Sequence, residues 1–319
     1  MSNLDRTPYF SIILPVYNRA PFVGRALESC LAQDFRDFEV IVVDDGSSDG
    51  SADVVKKYSD PRVRLISHPY NRGVCPARNT AADAAKGTWV LALDSDDELL
   101  PGALSVMYSR AVKVDASISG LRFMCRLENG ELSPSPSLKN DLWDYEGFIR
   151  WWDSCLEGRQ EALPCVRAVT FKSVRYPEDR SLEAAYHLDF ARAFHTKACS
   201  DVVLLIHYDA HNRLTQPSLE SLFRSAADRA KSLECLLSSH GDALEAVAPR
   251  LFLQQLSGLV TLKLLVGERL SAVRYACRCL RVNPCFVKVW GVLILGLLGR
   301  KPLAWVKLNR SRYFSPKGE

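Results

Sequence analysis

Trp89-Val90-Leu91-Ala92-Leu93 runs directly into Asp94-Ser95-Asp96-Asp97-Glu98, and this junction restricts the fold more than any other stretch. An unbroken apolar run suits a strand buried on both faces of a parallel sheet. In open α/β sheets the carboxyl ends of such strands are where ligands bind. Aspartates crowded at one strand end repel one another, and a divalent cation with oxygen ligands would offset that repulsion. An acidic N-cap for the helix that follows is the alternative.

Earlier runs repeat the arrangement. Residues 9–15 form an apolar strand ending in Val16-Tyr17-Asn18-Arg19. From Pro21, a favoured first helical residue, a helix carries Val23, Ala26, Leu27, Cys30 and Leu31 on one face. Residues 38–43 form a second strand, ending in Asp44-Asp45-Gly46-Ser47-Ser48-Asp49-Gly50, with a helix over 52–58. A short strand at 63–66, a polar loop at 68–76 and a helix at 77–85 lead back to Trp89. Strand and helix alternating at short intervals give a parallel βαβ sheet. Its parallel strands bring the Asn18 loop, Asp44-Asp45 and Asp94 to Asp97 to one edge. Such an edge can hold a ribose and base by hydrogen bonds and a metal-bridged diphosphate. Neither a GxGxxG nor a GxxxxGK[ST] pattern is present in this half, which argues against a dinucleotide fold and a P-loop.

Four blocks occur in order: Pro15-Val16-Tyr17-Asn18; Val43-Asp44-Asp45-Gly46-Ser47-Ser48-Asp49-Gly50; Asn71-Arg72-Gly73 with Ala77-Arg78-Asn79; and Leu93-Asp94-Ser95-Asp96-Asp97. Together they resemble the family 2 inverting glycosyltransferases of bacterial polysaccharide and glycolipid synthesis. The resemblance covers roughly residues 9 to 105 and weakens beyond. It implies a GT-A fold of the α/β class, Rossmann-like with a mostly parallel central sheet. It further implies nucleotide-sugar contacts from Pro15, Tyr17, Asn18, Asp44, Asp45, Arg78, Asp94 and Ser95. The D-x-D motif falls on Asp94 and Asp96, with Asp97 beside it, and implies Mg²⁺ or Mn²⁺ bound there.

An inverting transferase needs a carboxylate to take the proton from the acceptor hydroxyl. The family supplies it from an acidic pair at the start of a helix, and the matching stretch is Tyr176-Pro177-Glu178-Asp179-Arg180-Ser181-Leu182-Glu183-Ala184. Two alignments compete: one makes Asp179 the base, the other puts Glu183 in the pair and Ala184 where aspartate is usual. Helix N-terminal acids favoured by the dipole are the bland reading of both. His211 and Arg213, in a polar loop after a strand at 202–206, are candidates for closing on the diphosphate.

Between these parts the sequence suggests a helix over 101–112, a strand over 116–126 and a flexible loop at Ser133-Pro134-Ser135-Pro136-Ser137 without core-forming residues. Trp143, Tyr145, Phe148, Trp151 and Trp152 follow. Aromatic faces suit sugar rings, but the spacing of Phe148, Trp151 and Trp152 is helical and reads as core.

From Ser218 onward the pattern is helical. The organisation expected is a catalytic domain over 1–215, divided into a nucleotide-sugar half (1–100) and an acceptor half (101–215), then a C-terminal helical region over 216–319. From Arg269 to the end there are eleven Lys or Arg and one acidic residue, Glu319. The most apolar segment there, 286–299, is interrupted by Lys288 and falls short of the roughly twenty residues a spanning helix needs. Peripheral attachment to an anionic membrane surface and a helical partner-binding face are the two readings. A net charge of +4 gives no argument for nucleic acid. Ten scattered cysteines without CxxC spacing read as reduced thiols. The polar N-terminus lacks a signal-peptide h-region, so the enzyme is expected to be cytoplasmic, on the inner face of the cell membrane if attached. The function expected is transfer of a hexose or N-acetylhexosamine from a UDP-sugar to a saccharide or lipid-linked acceptor. A catalytically silent nucleotide-sugar-binding protein of the same fold is the alternative, motivated by Ala184.

Overall fold

The computed structural model describes residues 7–178, 183–209, 219–299 and 301–304. The chain divides into two compact units, Met1–Ala210 and His211–Glu319.

In the first unit β1 (Phe10–Val16), α1 (Val23–Leu31), β2 (Phe38–Asp44), α2 (Ser51–Lys56), β3 (Val63–Ser67), α3 (Val74–Ala84) and β4 (Trp89–Ala92) alternate. Every residue of β1 and β2 is buried, which is why both read as continuous apolar runs. Ile12, Leu14, Val40, Val42 and Leu91 face one core, and Ile13, Ile41, Val43 and Val90 the other. Glu39, the buried exception, accepts hydrogen bonds from the Ser11 hydroxyl (2.7 Å), the Lys86 N–H (2.7 Å) and the Arg64 guanidinium (2.7 Å).

Then come β5 (Glu98–Leu99), α4 (Ala103–Ala111), β6 (Ile118–Leu127), β7 (Leu132–Ser133), β8 (Leu142–Trp143), α5 (Tyr145–Ser154), β9 (Leu163–Arg167), α6 (Ala168–Ser173), α7 (Glu183–Ala193) and β10 (His195–Ile206). The sheet order is β3-β2-β1-β4-β9-β6-β10-β5, with β7 on β6 and β8 on β10. The β3-β2-β1-β4 half is parallel throughout, as is the β6–β10 pair.

The second half departs from the sequence reading in three places. β9 was not expected; it inserts antiparallel between β4 and β6, and its Pro164 hides a central strand because proline is usually confined to edges. β10 begins at His195 rather than 202, its first residues being polar and its register to β6 shifted between Ala198 and Val202. Residues 133–137 are not a loose loop at their start. Ser133 is fully buried on β7, its hydroxyl donates to Glu161 (2.8 Å), and the Ser135 N–H donates to the Arg159 carbonyl (2.9 Å).

The second unit contains α8 (Leu219–Val247), α9 (Pro249–Val266), α10 (Arg269–Val282) and α11 (Val287–Leu297). Leu222, Ala226, Leu233 and Leu236 of α8 pack against α9, which is buried along most of its length. Lys263, itself buried, is held by Glu234 (2.9 Å) and Glu268 (2.8 Å). Among the described residues every cysteine is a free thiol, and no helix is long and apolar enough to cross a membrane.

A carboxylate edge with one buried arginine

The parallel order β2-β1-β4 brings the Asn18 loop, Asp44-Asp45 and Asp94 to one sheet edge. Two loops are locked together there. The Asn18 N–H donates to the Ser47 hydroxyl (2.9 Å), and the Asn18 side-chain oxygen accepts from the Ser48 N–H (2.9 Å). Asn18 takes φ 51°, a left-handed conformation asparagine tolerates better than most residues. Asp49 clamps the same turn by accepting from the N–H groups of Ala20 (2.9 Å) and Ser51 (3.0 Å). Burial would raise its carboxyl; the hydrogen bonds from Ser51 and Ala20 hold it below the usual range. Pro15 is buried beside Val43, and Tyr17 stands out from the edge, 45% exposed.

Asp45 is almost wholly buried and committed to the protein. Its carboxylate meets His68 Nδ1 at 2.7 Å and accepts from the N–H groups of Arg72 (3.0 Å) and Gly73 (2.7 Å). It therefore holds the Asn71-Arg72-Gly73 loop at the start of α3, which leaves Asp44, the buried last residue of β2, as the acid beside it at the strand end. Gly46 allows the close return of that loop. It has φ 73°, and a Cβ there would lie 2.6 Å from the Tyr70 carbonyl carbon.

Arg78, on α3, is buried beneath this surface and donates to Asp94 Oδ1 (2.9 Å). It also pairs with Glu183, at the first turn of α7, and lies over the Tyr176 ring with its guanidinium carbon 5.4 Å from the centroid. Burial would lower the Arg78 pKa, but Glu183, Tyr176 and Asp94 keep it well above the ordinary value. For Asp94, burial and then the like charges of Glu183 and Asp96 push the carboxyl up, against the pull of Arg78. Burial also acts to raise Glu183, yet Arg78 and His187 hold its carboxyl well below the usual range.

Asp96 lies 4.0 Å from Arg19, and its backbone carbonyl accepts from Arg25 (2.6 Å). Ser95 and Asp97 are buried, and Asp97 accepts from the His207 N–H (3.1 Å). Asp97 thus ties the D-x-D loop to the end of β10, an attachment reinforced by His207 on Glu98 (2.6 Å) and Arg25 on Asp209 (2.9 Å). Among the described residues no three His, Cys, Asp or Glu side chains gather as a ready metal cluster. Asp94 and Asp96 are nonetheless hard oxygen donors two residues apart in the loop after β4, and a divalent cation of the Mg²⁺ or Mn²⁺ type fits that chemistry and their mutual repulsion. Asp179, His211 and Arg213 lie outside the described residues.

Sequence reasoning missed Asn79, His187 and Arg122. Asn79 brackets Tyr176, donating to its carbonyl (2.9 Å) and accepting from its N–H (3.0 Å), and also donates to Glu178 (3.1 Å). Its place beside Arg78 in a quoted block was the available signal. His187 sits one turn beyond Glu183, with Nε2 at 3.6 Å from Glu183 Oε1 and Nδ1 at 3.4 Å from an Arg122 nitrogen. An arginine can only donate, so Nδ1 accepts and Nε2 carries the hydrogen towards Glu183. Burial lowers the His187 pKa, consistent with a neutral ring.

A mixed sheet whose parallel strand ends present carboxylates over a buried arginine, followed by a helical unit, is the GT-A class of transferase scaffold. Residues 11–158, a little under half of the chain, match the Glycosyl transferase family 2 model, so this stretch carries a family 2 glycosyltransferase domain. It is 43% identical over 116 residues to the succinoglycan biosynthesis protein ExoO of Rhizobium meliloti, 36% of this chain and 33% of that one. It is 39% identical over 116 residues to the GalNAc(5)-diNAcBac-PP-undecaprenol beta-1,3-glucosyltransferase of Campylobacter jejuni, 35% of this chain and 38% of that one. The matches thus span little more than a third of these relatives' lengths. The fold is similar to that of S. aureus TarS in complex with UDP-GlcNAc, with a TM-score of 0.57, 19% identity, and coverage of 96% of this chain and 93% of that one.

Proposed function

We propose that the protein is an inverting glycosyltransferase that moves a hexose or N-acetylhexosamine from a UDP-sugar to an acceptor hydroxyl in surface polysaccharide or glycolipid synthesis. The observation that carries this reading is the meeting of Asp94, Arg78 and Glu183, from a strand end, a helix and a second helix start, on one sheet edge. The relatives named above act in polysaccharide and lipid-linked oligosaccharide synthesis by their names, and TarS has been seen with UDP-GlcNAc.

In this reading Pro15, Tyr17 and Asp44 border the base and ribose, while Asn18 and Asp45 hold the two loops that shape that pocket. Asp94 and Asp96 hold the cation, which when bound supplies charge neutralisation for the leaving diphosphate. Glu183 is the base among the described residues. With Arg78 against it, its carboxyl is too weak a base to take a hydroxyl proton readily. A donor diphosphate that engages Arg78 would loosen that pair and raise Glu183 towards the working range. The base is then strengthened only once donor is present, which disfavours idle hydrolysis.

A thermal-shift series with UDP, GDP and their sugars, with and without Mn²⁺, tests the donor assignment, because a ligand bound only by the folded state raises Tm. A Mn²⁺-dependent rise with UDP-sugars is expected; no rise with any nucleotide would overturn the reading. Product anomer analysis by NMR checks inversion, and retention of the donor configuration would refute the single-displacement mechanism.

A further inference from the structure

The second unit carries an apolar face that its own packing does not use. α11 turns Val289, fully buried, towards the rest of the unit. It also approaches α9 so closely at Gly296 that a Cβ there would lie 2.7 Å from Leu264 Cδ1. Its opposite stripe is Val287, Trp290, Ile294 and Leu298, spaced i, i+3, i+7 and i+11 and exposed by 75%, 51%, 58% and 69%. α10 repeats the pattern with Leu270, 89% exposed, and Val273, 50% exposed, beside the exposed Arg269, Arg274 and Arg281. A soluble helix seldom leaves tryptophan, isoleucine, valine and leucine in line on its water side.

The charge around this face identifies what covers it. Among the described residues from Arg269 to Ala304 there are six cations, Arg269, Arg274, Arg278, Arg281, Lys288 and Lys301, and no Asp or Glu. A second copy would bring the same positive charge to the contact and be repelled; an anionic surface would be attracted. α11 has 11 residues, so it is about 16 Å long at 1.5 Å per residue, half the hydrocarbon thickness. It can lie in the headgroup boundary but cannot span. We propose that α11 is an in-plane membrane anchor that inserts Val287, Trp290, Ile294 and Leu298 into an anionic bilayer, with the exposed cations of α10 against the lipid phosphates. This would hold the enzyme at the surface where a lipid-linked acceptor resides.

The test uses the full chain in flotation with vesicles of phosphatidylcholine alone and with about one third phosphatidylglycerol. Binding is expected on the anionic vesicles and should weaken steeply with salt. The double variant Trp290→Ser with Ile294→Glu removes two side chains from the inserted face and should lower partitioning on the order of a hundredfold. Arg274→Glu should lower it by at least about fivefold, since each cation near such a surface is worth about that factor. All three substitutions are at exposed positions, so the melting temperature and its rise with nucleotide should stay as in the parent. Equal binding to neutral vesicles, or unchanged binding of the double variant, would overturn the proposal. So would a vesicle-free dimer, seen by analytical ultracentrifugation, that the double variant dissociates; that would assign the stripe to a second copy.

Discussion

Two buried arginines distinguish the two parts of the sheet in the first unit. Arg78, beneath the parallel β2-β1-β4 edge, is 5% exposed and sits between the carboxylates of Asp94 and Glu183. Arg122, mid-strand on β6, is 8% exposed and makes no salt bridge among the described residues, although the Glu183 charge favours its cationic form. Its guanidinium carbon lies 5.2 Å from the centroid of the Phe148 ring and 5.1 Å from that of Trp151. One nitrogen reaches His187, and its Nε is buried without a partner. The two respond oppositely: Arg78 is held above the usual range, whereas burial brings Arg122 down to about 10. A buried charge is tolerated where opposite charge and hydrogen bonds return what desolvation removes. Arg78 has opposite charge on two sides although its own Nε also lacks a hydrogen-bond partner, whereas Arg122 has mainly aromatic rings and one histidine.

The sharpest way to break this contrast is to replace each arginine with methionine, which keeps the length and removes the charge. Arg78→Met strands two carboxylates. Transfer is expected to fall on the order of 10³-fold through the lost electrostatic support. Stability should fall by about 2 kcal/mol, less than for a fully buried pair because Asp94 and Glu183 are half exposed. Steady-state transfer and urea unfolding measure the two effects. Turnover within tenfold of the parent would detach this edge from the chemistry.

Next in size is Asp45→Ala, which leaves the Arg72 and Gly73 N–H groups and His68 without their acceptor. Losing three buried hydrogen bonds should cost about 3 kcal/mol, read as a lower urea midpoint. Nucleotide affinity should weaken with it, since the loop at the start of α3 is no longer held. A variant as stable as the parent would mean the loop has other support.

Arg122→Met carries the opposite sign. Replacing a weakly compensated buried cation with an apolar chain should stabilise the protein by about 1 kcal/mol, after the loss of its aromatic contacts. Stability gained with transfer lost would mean that Arg122 is kept for an anionic group on the acceptor. Destabilisation would mean that the contacts with Phe148, Trp151 and His187 outweigh the desolvation of the charge.

The same contrast explains what was legible in the sequence. On the nucleotide side each structural need falls on consecutive residues: a buried strand is an unbroken apolar run, and its tip is the next two or three positions. Phe38–Asp44 and Trp89–Ala92 could be read directly for that reason. Even there Asp44 and Asp45 could not be told apart, because which neighbour faces the pocket depends on where residues 68–73 return. In the second part of the sheet, and between the two parts, the contacts join residues far apart in sequence, such as Arg122 with His187 and Arg78 with Glu183. β9 is short and contains proline, β10 is bulged, and neither keeps a clean period. Phe148 proved to be core as its spacing indicated, while Trp151 and Trp152 remain partly exposed beside it.

The smallest effect sharpens the role of the residue that joins the two halves. His187 accepts from Arg122 and points its other nitrogen at Glu183, so its proton affinity is tied to both arginines. Its folded pKa is lowered, first by burial. The unfolded state therefore takes up a proton before the folded state does as pH falls below about 6.5. The stability from a neutral His187 is complete above that value and is lost as pH falls towards the folded pKa. Glu183, also depressed, adds a second loss below about 4.5, in the same direction. His187→Asn removes the first limb and keeps a hydrogen-bonding side chain. Urea unfolding between pH 7 and pH 5 should then show a flatter profile, by a few tenths of a kcal/mol. If the parent and variant profiles run parallel, the histidine is not held neutral. Arg122 would then be positioned by its aromatic neighbours alone, and the link between the two halves would pass only through Arg78.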